Sequence, residues 1–185
     1  VLSKTIISEK TEKVFFIQNR SIELSVFLSA PAAVGIIVGA EEIISCLFGY
    51  GSFDDNSVLN TSKALVIFGF GLPAFSLLKL YSNFYFARGD TKFPFKVSVF
   101  TVLANILISI IFFKKFGFLS IAAGTTISCW LATIIYKYNL KIDNFHTSDR
   151  IFLERFAKIF VCSLIMGSLL YYQFFYFADH FNRGD

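Results

Sequence analysis

Few residues in this chain can do chemistry, and most of them are surrounded by apolar sequence. Lys79 stands inside a long apolar run, and Glu41 and Glu42 close another. Arg88 and Asp90 sit in YFARGDTKFPFK, residues 85–96, between two such runs. A lysine in the middle of a lipid-embedded helix costs about 2.5–3.5 kcal/mol on insertion scales, so it should face a cavity or a partner. In a cavity it could meet a phosphate. Lying about two helical turns from the end of its run, it could equally extend its stem to the interface. Adjacent carboxylates point about 100° apart on a helix, so Glu41 and Glu42 cannot both line one face. They suit solvation at headgroup level, or a cation or proton role for one of them. Glu23, near the other end of the same run, is placed to pair with a loop cation.

No catalytic or metal constellation accompanies these charges. Cys46, Cys129 and Cys162 lie far apart without a C-x-x-C pair and read as small buried hydrophobes. His146 and His180 are isolated, so local spacing assembles no metal site, and no cofactor is expected. A membrane enzyme would need a base or paired acids near the surface. His146 with Asp143 and Asp149 is the one local grouping of that kind, and it sits in a loop without an evident scaffold.

The elements that hold these residues follow from composition. Of 185 residues, 55% are hydrophobic and 16% charged, with a mean hydropathy of +0.64. Soluble domains carry roughly 25% charge. Apolar runs of about 20 residues can cross a bilayer core of roughly 30 Å. They are continuous rather than alternating, which excludes membrane strands. The expected fold is therefore an all-α integral membrane protein with about five spanning helices. Four lie within 21–138, at about 21–47, 64–86, 95–113 and 118–136, and the fifth at 159–178. Residues 1–20 read as an amphipathic connector, 139–158 as a polar loop and 179–185 as a tail. The chain opens on Val1 without a cleavable signal pattern and reads as a piece of a longer protein.

Loop charge sets the expected orientation. Twelve of the seventeen basic residues fall before the first run, between the second and third or at the very start of the third, or between the fourth and fifth. The positive-inside rule places those segments, and the N-terminus of this chain, in the cytoplasm, with the C-terminus outside. The net charge of +4 is thus explained by topology rather than by nucleic acid. YYQFFYF at 171–177 fits an aromatic belt at the outer interface.

Within the runs, Pro31 and Pro73 each remove a backbone hydrogen bond. Gly69, Gly71 and Pro73 in GFGLPAFS make the second helix a candidate bending element. Gly35 and Gly39 form a G-x-x-x-G pair suited to close helix packing. In the hairpin, Gly89 and Asp90 favour a turn and Pro94 can begin the next helix. The RGD triplets at 88–90 and 183–185 read as coincidence.

Lys79 together with FYFARGDTKFPFK resembles the pattern K-x-x-x-x-x-[FY]-x-A-R-x-D-T-x-x-P of the MurJ/MviN family of lipid II flippases. SAPAAVGIIVGAEEIISCLFGYGSF resembles that family's helix with an early proline and its L-F-x-x-G-x-F loop. GFLSIAAGTTISCW resembles a G-x-x-G-L-A-L-A-T-S-like helix start, with Leu119, Ala122 and Thr125 or Thr126 near the matching positions. LSKTIISEKTEK resembles the connector after the family's eighth helix. The resemblance is strongest from Ser29 to Trp130 and implies the ninth to thirteenth helices of a transporter of roughly fourteen helices. It further implies a bacterial inner-membrane protein whose two lobes rock around a central cavity. The partner implied is a lipid-linked peptidoglycan precursor, undecaprenyl-pyrophosphate-linked, passed from the cytoplasmic to the outer leaflet for cell-wall synthesis. The fifth helix is implied to be one of two extra helices forming a groove for the lipid tail. Lys79, Arg88 and Asp90 become the substrate or transport candidates. The family's best-known functional arginines and acid lie outside this chain, so its other partners are membrane lipids and the missing N-terminal lobe. Another exporter of the same superfamily, or a structural membrane subunit, is the competing reading.

Overall fold

The computed structural model describes residues 2–51, 53–142 and 150–181, and all its regular structure is helical. The helices are α1 Leu2–Val38, α2 Ala40–Phe48, α3 Asp55–Ala87, α4 Lys92–Phe116, α5 Leu119–Ile142 and α6 Arg150–Phe181. Five carry stretches long and apolar enough to cross a membrane: Phe16–Val38, Asp55–Ala87, Lys92–Phe116, Leu119–Leu140 and Glu154–Phe174. The five expected spans are present.

Their boundaries differ from the hydropathy limits for an identifiable reason. Hydropathy reports which turns suit lipid, whereas helical hydrogen bonds continue into polar sequence. The helix expected at 64–86 begins at Asp55, because the Asp54 side chain caps it by accepting from the Ser57 amide at 3.0 Å. The Ser57 side chain, together with that amide bond, holds the exposed Asp54 carboxyl below its ordinary pKa. The expected connector 1–20 is helical from Leu2, and α5 and α6 extend into the expected loop 139–158. The first run, expected as one helix over 21–47, is two, divided at Gly39. His146, Asp143 and Asp149, and the RGD at 183–185, lie outside the described residues.

The spans pack in the order α6–α1–α3–α5–α4, with α2 against α3. Because successive spans alternate in direction, one end of the bundle gathers the start of α1, the α3–α4 hairpin, the end of α5 and the start of α6. This is the basic end. Just inside it lies an apolar cluster of Ile22, Val26, Leu77, Tyr81, Tyr85, Val97, Ala132, Tyr136 and Leu140. Aromatic rings dominate it. Tyr85 stacks on Phe93 at 4.7 Å, Phe93 meets Tyr136 edge-on at 5.5 Å, and Tyr85 approaches Tyr136 at 5.6 Å. Such pairs contribute about 0.5–1.5 kcal/mol beyond area burial. Their hydroxyls are also satisfied: Ser82 donates to the Tyr136 oxygen at 3.0 Å and Tyr85 to Asn139 Oδ1 at 3.4 Å.

The ARGDTKFP hairpin caps this cluster. Gly89 has φ +77°, a left-handed conformation that a Cβ disfavours, and its amide donates to the Phe86 carbonyl at 2.9 Å. Asp90 Oδ1 accepts from the amides of Lys92 at 3.0 Å and Phe93 at 3.2 Å, supplying the first turn of α4 with acceptors it would otherwise lack. Arg88 lies 5.9 Å over the Tyr85 ring. Asp90 therefore acts here as a helix cap. Asp90→Ala should lose about 1 kcal/mol of stability, whereas Asp90→Asn, which also caps well, should lose little. Thermal unfolding in detergent micelles checks this: equal losses in the two variants would mean that the charge, not the cap, is what counts.

Candidate functional site

A groove of about 910 Å³ is bounded by α1, α3, α5 and α6. α1 lines it from Ile22 to Val38, about 24 Å of helix, which approaches the roughly 30 Å of a bilayer core. α3 joins the lining only from Gly69 to Tyr81, so the groove has all its walls in the half nearer the basic end. Its surface is overwhelmingly apolar. One charged group lines it, Lys137, at the basic end, exposed and without a carboxylate partner among the described residues. Tyr171 stands at the other end.

Small residues allow the walls to come this close. A Cβ on Gly69 would stand 2.7 Å from Ile37 of α1, and one on Gly71 would stand 3.0 Å from Thr126 of α5. A Cβ on Gly167 of α6 would collide with Val34 of α1. The glycines of GFGLPAFS thus serve close helix approach, and α3 stays helical through Pro73.

Three side chains of α5 also reach the backbone of α3. Thr126 donates to the Ile67 carbonyl at 3.0 Å and Trp130 Nε1 to Phe70 at 3.1 Å, while the Thr133 hydroxyl is shared between Ala74 at 3.2 Å and the Cys129 carbonyl of its own helix at 2.8 Å. The donors are spaced four and three residues apart, the acceptors three and four, on helices running the same way. Each carbonyl has a second lone pair for this contact. The stitched stretch brackets Pro73, whose missing N–H leaves the Gly69 carbonyl without its usual intrahelical donor. On the other wall, the α6 backbone comes close to that of α1 alone among the described helices, while Phe156 and Ile159 of α6 pack against the apolar cluster to which α5 contributes Ala132, Tyr136 and Leu140.

The residues singled out from the sequence are dispersed. Lys79 is exposed and does not line the groove; it lies about 200° around α3 from Leu77, which does. Arg88 and Asp90 belong to the hairpin. Glu41 and Glu42 are exposed in the first turn of α2, where the helix dipole favours carboxylates. Pro31 lies inside α1, half-buried, and Pro73 lines the groove. Glu23 does find a cation: Arg155 Nη1 lies 3.0 Å from its Oε2. Lys137 and the Thr126–Trp130–Thr133 stripe were not singled out. The stripe's i, i+4, i+7 spacing was the legible signal, whereas nothing marks Lys137 apart from other loop-end lysines. Among the described residues no group of His, Cys, Asp and Glu could hold a metal ion.

Comparison with known proteins places this bundle. The family model described as "Lipid II flippase MurJ" matches residues 1–184. A "Probable lipid II flippase MurJ" of Rickettsia prowazekii is 33% identical over 155 residues, 83% of this chain and 30% of the relative. One from Rhizobium tropici is 32% identical over 171 residues, 92% of this chain and 32% of the relative. A solved structure, "Lipid II flippase MurJ, inward closed conformation", superposes with a TM-score of 0.78 at 27% identity, covering 94% of this chain and 36% of that one. The chain spans about a third of the length of the curated relatives it matches.

The stitch carries its own prediction. Thr126→Val with Thr133→Val keeps side-chain shape and removes two interhelical hydrogen bonds, each worth about 0.6 kcal/mol in a membrane protein. The double variant should lose about 1 kcal/mol, and Gly69→Val, which forces α1 off α3, should lose more. Reversible unfolding in micelles or bicelles measures both.

Proposed function

Because the chain belongs to the lipid II flippase MurJ family, we propose that it supplies five membrane-spanning helices of a flippase for a lipid-linked peptidoglycan precursor. The flippase moves the undecaprenyl-pyrophosphate-linked substrate from the cytoplasmic to the outer leaflet of a bacterial inner membrane by alternating access. This chain contributes part of the second lobe; the first lobe, with which it would rock, comes from the remainder of the same protein. The basic end is cytoplasmic, as the positive-inside rule requires, so the N-terminus of this chain is inside and the C-terminus outside.

The observation that carries the reading, beyond family membership, is the groove. A concavity about 24 Å long, nearly all apolar and best walled in its basic-end half, suits a long hydrocarbon chain entering from the cytoplasmic leaflet. Lys137 at its mouth suits an anionic headgroup. A carbohydrate or drug exporter of the same superfamily is disfavoured by the A-R-x-D-T-x-x-P hairpin, which is present residue for residue at 87–94. The substrate acts as cargo, so no catalytic residue is assigned. A cation or proton role for Glu41 or Glu42 would require access from the outer side, where both are exposed.

Depleting the full-length protein in its host should leave the precursor trapped on the cytoplasmic leaflet; continued appearance outside would overturn the assignment. Complementing the depletion with Lys79→Ala then separates its two roles. Lost flipping at normal expression assigns Lys79 to the substrate pyrophosphate in a cavity shared with the first lobe. Retained flipping assigns it to anchoring at the interface.

A further inference from the structure

The groove's α6 wall is held differently from its other walls. α3 and α5 are stitched side chain to backbone, whereas the α6 backbone comes close to that of α1 alone among the described helices. Toward the far end, its contact with α1 is built on glycine: Gly167 against Val34, and Phe174 near Gly39. Such a contact fixes how close the helices come but makes no directional bond. At the basic end Phe156 and Ile159 pack against the apolar cluster, and an ionic contact is added to that packing. Glu23 Oε2 accepts from Arg155 Nη1 at 3.0 Å and from Arg20 Nη1 at 2.9 Å, and the same Arg155 nitrogen lies 3.3 Å from Oε1. The Glu23 side chain is only 16% exposed, while Arg155 is 49% exposed. Ile22 and Phe156, the sequence neighbours of Glu23 and Arg155, both line the groove.

We propose that Glu23 is a positioning residue, and that its bond to Arg155 is a releasable latch setting the width of the groove's basic-end mouth. One carboxylate here serves two guanidiniums. With Glu23 charged, α6 is drawn against α1. With its charge removed, Arg20 and Arg155 are left facing each other as like charges, and the start of α6 swings outward about the glycine contact. Removing Arg155 instead leaves Arg20 and Glu23 as a satisfied pair three residues apart on α1, with no repulsion to drive α6 away. The latch therefore predicts an asymmetry that a merely stabilising ion pair does not: Glu23→Gln opens the mouth more than Arg155→Gln does.

The role in lipid uptake rests on the groove reading above; the latch itself does not. In the full-length protein, on a cysteine-free background and in lipid nanodiscs, spin labels at Ile134→Cys and Phe160→Cys report the distance between the α5 and α6 walls. Glu23→Gln should lengthen and broaden that distance distribution, and Arg155→Gln should change it less. The exchange Glu23→Arg with Arg155→Glu, which again sets one carboxylate between two guanidiniums, should restore the original distribution. An unchanged distribution in Glu23→Gln, an effect of Arg155→Gln as large, or no restoration by the exchange would each overturn the latch. Complementation of the depleted host reads the groove separately. Changed distances with normal flipping would keep the latch and remove the groove from the lipid path.

Discussion

Hydrocarbon offers a peptide group no hydrogen-bond partner, and that constraint organises everything else in this bundle. It forces each crossing into a continuous helix, so even Pro31 and Pro73 are absorbed without a break in α1 or α3. It also removes the usual hydrophobic drive for the helices to associate, since lipid tails are as apolar as leucine. Association then depends on close van der Waals approach and on the few polar side chains available. Both are visible. Glycines at 69, 71 and 167 bring neighbouring helices close, and Thr126, Trp130 and Thr133 reach across to carbonyls of α3.

The two ends of the bundle solve different problems. At the basic end, rings of Tyr81, Tyr85, Phe93 and Tyr136 fill the space beneath the α3–α4 hairpin, and the Tyr136 and Tyr85 hydroxyls are paired with Ser82 and Asn139 respectively. The hairpin above them is built from backbone requirements: a left-handed glycine, a capping aspartate and a proline in the first turn of α4. A motif that identifies the family is, in this structure, mainly a way of turning the chain tightly at the membrane surface. Its basic residues add the charge that holds the turn on one side.

The groove arises from what the helices do not contact. α5 is committed to α3 and α4, and α6 to α1, so the space between α5 and α6 stays open. One of its walls is joined by hydrogen bonds from α5 to α3, and the other is attached along a glycine seam, with apolar packing and an ion pair at the basic end.

Hydropathy and loop charge alone determined the membrane class, the number of spans and the expected sidedness, because each depends on the composition of a contiguous stretch. The ordered motifs determined the family. Even the pairing of Glu23 with a loop cation was legible, since a carboxylate near a basic loop has few alternatives. The tertiary structure decided the rest. Lys79 and Leu77 are two residues apart, yet only Leu77 faces the groove, and Lys137 lines its mouth although its sequence resembles any helix end. Gly69 and Gly71, read from the sequence as part of a candidate bending element, are points of close contact with α1 and α5. In each case the deciding fact is which face of a helix meets which neighbour. That depends on contacts between residues as many as 132 positions apart, which no local window contains.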